Sequence, residues 1–372
     1  GLVCMGLLLV LSSCHTGKQI TASGLQRKDF QTEVNGQHTD LFTLSNKQGM
    51  EVCITNYGAR VVSILVPDRN GKREDVVCGF STITEYMEQR QNFGSTVGRY
   101  IGRILNARFT LDGVEYKLVP NNGKSGHISH GGNPGFADRI WKVEQADTHR
   151  VCLSYLSPDG ENGFPGNLKV TLVYSLGEDD NALDLTYEAT TDAPTVLNLS
   201  HHSFFNISGN FTKSVEDQQL WVDADRFTPY DDKKCVTGEY LPVAGTPLDF
   251  RMPHTIGECI DADHPQLKVV NGYDHTWELN TKGDDTRPAA WVYDPASGRK
   301  MEIFTTEPGM QIYTGNGLKG KMTGKGGIAY PFRSAVCFET MHFQDSPNQP
   351  GFPSTVLRPG EVFRSHTVYK FE

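Results

Sequence analysis

From about residue 30 onward, apolar positions recur every second residue and not every 3.6. Residues 41–44, 51–55, 60–66, 151–156, 168–175, 182–190 and 302–306 read as short β-rich runs closed off by turn formers. Asp68-Arg69-Asn70-Gly71 and Asp112-Gly113 carry hairpin chemistry, because Asn-Gly and Asp-Gly tolerate the positive φ angles of tight turns. Only residues 82–91 have a helical pattern, with Ser81 or Thr82 as the cap and Glu85 three residues after Thr82. With so little helix to cover a parallel sheet, the pattern predicts an all-β antiparallel architecture, a large sandwich or a barrel. A sandwich of this size leaves a groove for an extended or cyclic polar ligand.

Composition narrows the picture. The 372 residues include 38 Gly and 19 Pro spread evenly, without a linker or fixed-period repeat, which favours one large β domain. A net charge of −9 without a basic run gives no reason to expect nucleic acid or anionic lipid as a partner. Near the start, Leu7 to Leu11 form an apolar run that ends at Ser12-Ser13-Cys14. It is too short to span a bilayer and resembles a bacterial lipoprotein export signal, with Cys14 as the lipidated residue. The expectation is therefore an export signal at 1–14, a short tether at 15–30 and one domain at 31–372, in the periplasm or lipid-anchored at a bacterial cell envelope. Six cysteines lie beyond that segment, Cys53, Cys78, Cys152, Cys235, Cys259 and Cys337, and are scattered singly, so buried free thiols are expected and zinc is not.

Chemistry-bearing residues stand out where strand periodicity calls for apolar ones. In 196–207, alternation puts Leu197, Leu199, His201, Ser203, Phe205 and Ile207 on one face and Asn198, Ser200, His202, Phe204 and Asn206 on the other. The first face suits a core; His202 falls on the polar, aromatic-bearing one, where an imidazole can exchange protons near neutrality. In 335–343, Ala335, Cys337, Glu339, Met341 and Phe343 share a face, so the Glu339 carboxyl is expected to be desolvated, with a raised pKa suited to a general base. A structural ion pair would explain the same pattern. The segment from His127 to Gly132 offers a close backbone approach at its paired glycines, without a carboxylate or Cys at metal-ligand spacing. Gly272-Tyr273-Asp274-His275 reads by itself as a turn. There is no nucleophile elbow, P-loop or dinucleotide fingerprint.

Taken in order, these segments resemble the galactose mutarotase (aldose 1-epimerase) family. The matching stretches are Asn56-Tyr57-Gly58-Ala59, Val97-Gly98-Arg99-Tyr100-Ile101-Gly102-Arg103-Ile104, His130-Gly131-Gly132, Asn198 with His202-Ser203-Phe204-Phe205-Asn206, Gly272-Tyr273-Asp274-His275, the run from Pro308 to Asn316, and Phe338-Glu339-Thr340 with Asp345-Ser346-Pro347-Asn348. The resemblance implies a large antiparallel β-sandwich that interconverts the α and β anomers of free aldoses such as galactose or glucose without a cofactor; a monomer is expected. It implies His202 as general acid toward the ring oxygen and Glu339 as general base toward the C1 hydroxyl. Arg103, His130, Asp274 and Gln311 would hold the sugar, and Phe204, where the family usually has Tyr, offers it a ring. Gly102 stands in place of a common Asn, Met341 of a common Gln and Gln344 of a common Pro.

Two other functions compete with this one. A β-sandwich glycoside hydrolase would use Glu339 and Asp274 as its two carboxylates. A non-catalytic envelope protein would merely bind sugar. A Ca²⁺ site is a weaker expectation, drawn from Asp223, Asp225, Asp231, Asp232, Asp261 and Asp263 in acidic loops without EF-hand spacing.

Overall fold

The computed structural model describes residues 19–372. The export signal expected at 1–14, its Cys14 and the start of the tether lie outside the described residues.

The largest element is a nine-stranded antiparallel sheet. Lys142–Ala146, Arg150–Ser157, Leu168–Leu176 and Ala182–Thr191 form a meander. Phe363–Phe371, Lys300–Thr305, Ala290–Tyr293, Gln219–Val222 and His254–Thr255 extend it in that order. Its sequence alternates because one face is packed and the other wet. Leu168, Val170, Leu172, Tyr174 and Leu176 are buried, whereas Lys169, Thr171, Val173 and Ser175 are not.

A six-stranded antiparallel sheet packs against that buried face. Its order is Phe204–Phe205, Val336–Met341, Gly309–Tyr313, Asp274–Glu278, Arg226–Thr228 and Leu241–Pro242. Phe205, Phe338, Ile312, Met310, Trp277 and Phe227 on one of its faces join Leu172, Tyr174, Leu185 and Tyr369 of the large sheet in the main core. Tyr369 ties the layers by donating its hydroxyl proton to the Phe338 carbonyl at 2.9 Å. The sheets thus form the expected sandwich, and the other face of the smaller sheet is left to build a site.

The expected strands all form, each with ends within two residues of the reading, and both hairpins turn where Asn-Gly and Asp-Gly stand. Glu51–Thr55 and its neighbours Leu41–Ser45, Arg60–Pro67 and Arg73–Asp75 make a four-stranded meander. The helix is Ile83–Gln89, entered through a capping box. Thr82 Oγ1 accepts from the Glu85 N–H at 3.2 Å, and the Glu85 carboxylate accepts from the Thr82 N–H at 3.0 Å. A second helix, Pro265–Val270, was not expected. It is one and a half turns long, with proline at its first position and the cap supplied by a histidine ring, His264.

Candidate functional site

Register in the six-stranded sheet decides which side chains meet. Gln311 pairs with Glu339, Thr276 with Gln311, and Asp274 with Tyr313, so all five point to the face away from the core. Phe204 pairs with Cys337 and belongs to that face too. The expected facing of Cys337, Glu339 and Met341 is what the strand adopts, since Phe338 between them lies in the main core. His202 comes from the next strand, Ser200–His202, which pairs with Ser95–Val97. The backbone breaks at Ser203, yet the alternation holds across it: His201 turns into the core beside Tyr174 and Tyr369, and His202 turns out.

Over this floor lies a loop pair. The backbone N–H of His130 donates to the Gly102 carbonyl at 2.9 Å, and the Gly102 N–H donates to His130 Nδ1 at 3.3 Å, which fixes that ring. His130 and Gly131 both have positive φ, and a Cβ on Gly131 would lie 1.9 Å from the Gly98 carbonyl oxygen, so only glycine lets the loop approach this closely. Asp345 anchors the opposite side: it accepts from the Leu105 N–H at 2.9 Å while its own N–H donates to the Arg103 carbonyl at 2.8 Å. Of the two arginines in the 97–104 stretch, Arg99 is buried and donates to Ser157 and to the carbonyls of Ser157, Pro158, Pro165 and Gly166. Arg103 alone reaches the cavity.

That cavity has a volume of about 270 Å³ and brings together Arg103, His130, His202, Phe204, Asp274, Gln311 and Glu339, every site residue that the resemblance implied. The volume lies near the lower end of the range for small-molecule sites, which suits one monosaccharide ring better than a chain of them. Sequence reasoning missed Tyr230 and Tyr313, and named Gln344 only as a departure from the family pattern. Tyr313 was findable, being two residues from Gln311 on one strand face. Tyr230 and Gln344 arrive through loop geometry that no periodicity reports.

Polar contacts leave two groups poised. Gln311 Nε2 donates to Asp274 at 2.8 Å and to Tyr230 at 3.3 Å, while its carbonyl accepts from the Thr276 hydroxyl. His202 and Glu339 are 5% and 4% exposed, with Nε2 and Oε1 3.4 Å apart. His202 Nδ1 has no hydrogen-bond partner, and the ring is held by stacking on Phe204 at 5.1 Å and 19° and by the edge contact with His130 at 5.4 Å. Burial, reinforced by the charge of Asp274, pushes the Glu339 carboxyl well above the usual range. Burial also lowers His202 well below the ordinary imidazole value, and His130 falls to about 4 for the same reason, helped by Arg103. The two shifts run in opposite senses and both disfavour the doubly charged pair, so a single proton is shared between a group able to give it and one able to take it.

Some expectations are corrected here. The aspartates suggested for Ca²⁺ do not converge. Asp223 serves Arg287 and Asn280, Asp225 serves Arg251, Asp261 serves Arg333 and Asp263 serves Lys268, while Asp231 caps its own loop and Asp232 is exposed. Divergence into separate cationic partners leaves no shared cage. His127 also parts from His130, donating to or accepting from Cys235 Sγ at 3.3 Å outside the cavity. All six cysteines of 19–372 are free, three buried and three partly exposed.

The sequence profile of the aldose 1-epimerase family matches residues 40–370. Galactose mutarotase of Sus scrofa is 39% identical over 330 residues, 89% of this chain and 93% of that protein. Aldose 1-epimerase of Escherichia coli is 36% identical over 339 residues, 91% of this chain and 96% of that protein. Among solved structures, an aldose epimerase homologue from C. elegans superposes with a TM-score of 0.82 at 31% identity, covering 90% of this chain and 99% of its own. Galactose 1-epimerase from Lactobacillus acidophilus gives 0.79 at 28% identity, covering 92% and 96%. These matches overturn the expected envelope location. The relatives spanning nearly the whole chain include enzymes of mammals, which have no bacterial envelope, and they are named for sugar epimerisation.

Proposed function

The chain belongs to the aldose 1-epimerase family, an isomerase family, and from that premise we propose that it opens and recloses the ring of a free aldose such as galactose or glucose through His202 and Glu339. The observation that carries this reading is the buried imidazole–carboxylate pair, 3.4 Å apart, at the bottom of a monosaccharide-sized cavity. The ring oxygen and the C1 hydroxyl of an aldose are bonded to the same carbon, so the groups that serve them must also be neighbours.

The steps follow from that geometry. The entering sugar lies against Phe204, with Arg103, His130, Asp274 and Gln311 holding its hydroxyls and ring region. The proton shared by the pair resides on His202 in the reactive form, leaving Glu339 as carboxylate. Glu339 takes the C1 hydroxyl proton as the C1–O5 bond breaks, and His202 delivers its proton to O5, giving the open-chain aldehyde. Rotation about C1–C2 presents the other carbonyl face. The hydroxyl on C5 then attacks C1, returning its proton to His202, while Glu339 protonates the new C1 hydroxyl. The dyad ends as it began, and only protein side chains and the sugar's own atoms take part.

A glycoside hydrolase reading is not favoured, because the group in reach of Glu339 is an imidazole and Asp274 is occupied by Gln311. We also take residues 31–372 to be one catalytic domain, a reading supported by a cavity whose lining runs from Gln91 to Gln344, and we take that domain to work as a monomer. Polarimetry of freshly dissolved α-D-galactose and α-D-glucose tests the activity: the protein should speed the approach to an unchanged final rotation. Hydrolysis of glycosides without such acceleration would contradict it.

A further inference from the structure

We propose that His202, Cys337 and Glu339 form a site for a thiophilic divalent cation, Zn²⁺ above all, whose occupation blocks the sugar cavity. The binding half stands on geometry alone; the inhibition half rests on the roles given above to His202 and Glu339.

The ring nitrogen of His202, the sulfur of Cys337 and a carboxylate oxygen of Glu339 all lie within 4.8 Å of one another, and all three residues are buried. Zinc bonds of about 2.0–2.3 Å in a tetrahedron place ligand atoms roughly 3.2–3.8 Å apart. The imidazole–carboxylate edge is already 3.4 Å, so only the sulfur edges, about 3.6 Å in such a tetrahedron, need to shorten, by at most about 1.2 Å. That closure shifts packing, the His202 ring moving against Phe204 and His130, and not hydrogen bonds. The unpartnered Nδ1 of His202 means that its ring can turn without breaking a hydrogen bond, and Cys337 is a free thiol two residues from Glu339 on one strand face. Thiolate, imidazole and carboxylate together select zinc over calcium or magnesium, and three protein ligands leave a fourth position toward the cavity, where a metal-bound water takes up the space of the sugar's anomeric end.

Binding replaces the protons on the Cys337 thiol and the Glu339 carboxyl with the metal and releases both to solvent, so it strengthens as pH rises. It also removes the base from Glu339 and the proton-carrying nitrogen from His202. The cation is therefore an inhibitor that competes with the sugar, and no part of the turnover requires it.

The test titrates metal-free protein with Zn²⁺ against a chromogenic chelator and with Co²⁺ by absorption spectroscopy, then repeats both with galactose present. Expected are one equivalent of bound metal, a thiolate-to-cobalt charge-transfer band, displacement by galactose, and Zn²⁺ inhibition of mutarotation that a chelator reverses. Cys337→Ser should turn over sugar normally, lose the cobalt band and bind Zn²⁺ at least tenfold more weakly. Should that variant fail to fold, Glu339→Gln read by metal binding alone should show the same weakening. Zn²⁺ affinity unchanged in these variants, or metal and galactose bound together without competition, would overturn the proposal. A protein that binds Zn²⁺ this way yet never accelerates mutarotation would keep the site and refute the proposed function instead.

Discussion

His201 and His202 are chain neighbours with opposite duties. His201 accepts or donates at Ser203 and Tyr174 inside the core, where burial lowers it to about 3, and His202 has only a carboxylate and a cavity before it. The same contrast separates Arg99 from Arg103. The pair of Gly102 and Gln344 shows how a departure from the family pattern is accommodated. A Cβ on Gly102 would lie 2.5 Å from Gln344 Cγ, so the missing side chain is the space that Gln344 fills. From there Gln344 donates to Tyr230 at 2.8 Å and accepts from the Arg103 N–H at 3.2 Å. Gln344→Ala should raise KM about tenfold, the loss of roughly 1.4 kcal/mol expected when such buried partners go unpaired. Gly102→Ala should do at least as much, and the double variant should fall well short of the product of the two effects; full multiplicativity in steady-state kinetics would contradict this coupling. The dyad also dictates a pH profile. Because burial raises Glu339 and lowers His202, kcat/KM should form a broad plateau through neutrality, falling only when the pair gains a second proton in acid or loses its single proton in base. A sharp optimum with both limbs near ordinary values would refute the desolvated pair.

At the scale of elements, period-two patterning made the strands legible and set the facing of Glu339 and His202 correctly, because each strand of the sandwich has one face committed to the main core. What stayed hidden depends on chain reversals. Tyr230 and Gln344 enter the cavity from irregular segments, and Pro265–Val270 is too short to show a 3.6-residue period. The helix Ile83–Gln89 was legible because its cap is local chemistry, Thr82 with Glu85. Thr82→Ala should destabilise the fold by about 1 kcal/mol, read as a lower urea midpoint at unchanged slope, with mutarotation intact. No change in midpoint would mean that packing alone holds this helix.

Across the whole molecule, His366 acts as a charge clasp between Asp184 at 2.7 Å and Asp285 at 2.6 Å, linking the large sheet to a loop. Hydrogen bonds to both carboxylates raise it from 6.5 to about 9. A raised folded-state value means that the contribution to stability is complete below about 6.5 and disappears as pH climbs to about 9. Urea midpoints of the native protein should decline over that interval, and His366→Gln should flatten the decline; equal slopes in the two proteins would contradict the clasp. The central claim, that one buried proton-sharing pair opens the sugar ring, is tested most directly by polarimetry of α-D-galactose with His202→Ala and Glu339→Gln, each shown to be folded by circular dichroism. Each should lose on the order of 10²–10⁴-fold in kcat. A near-native rate in either variant would contradict the account.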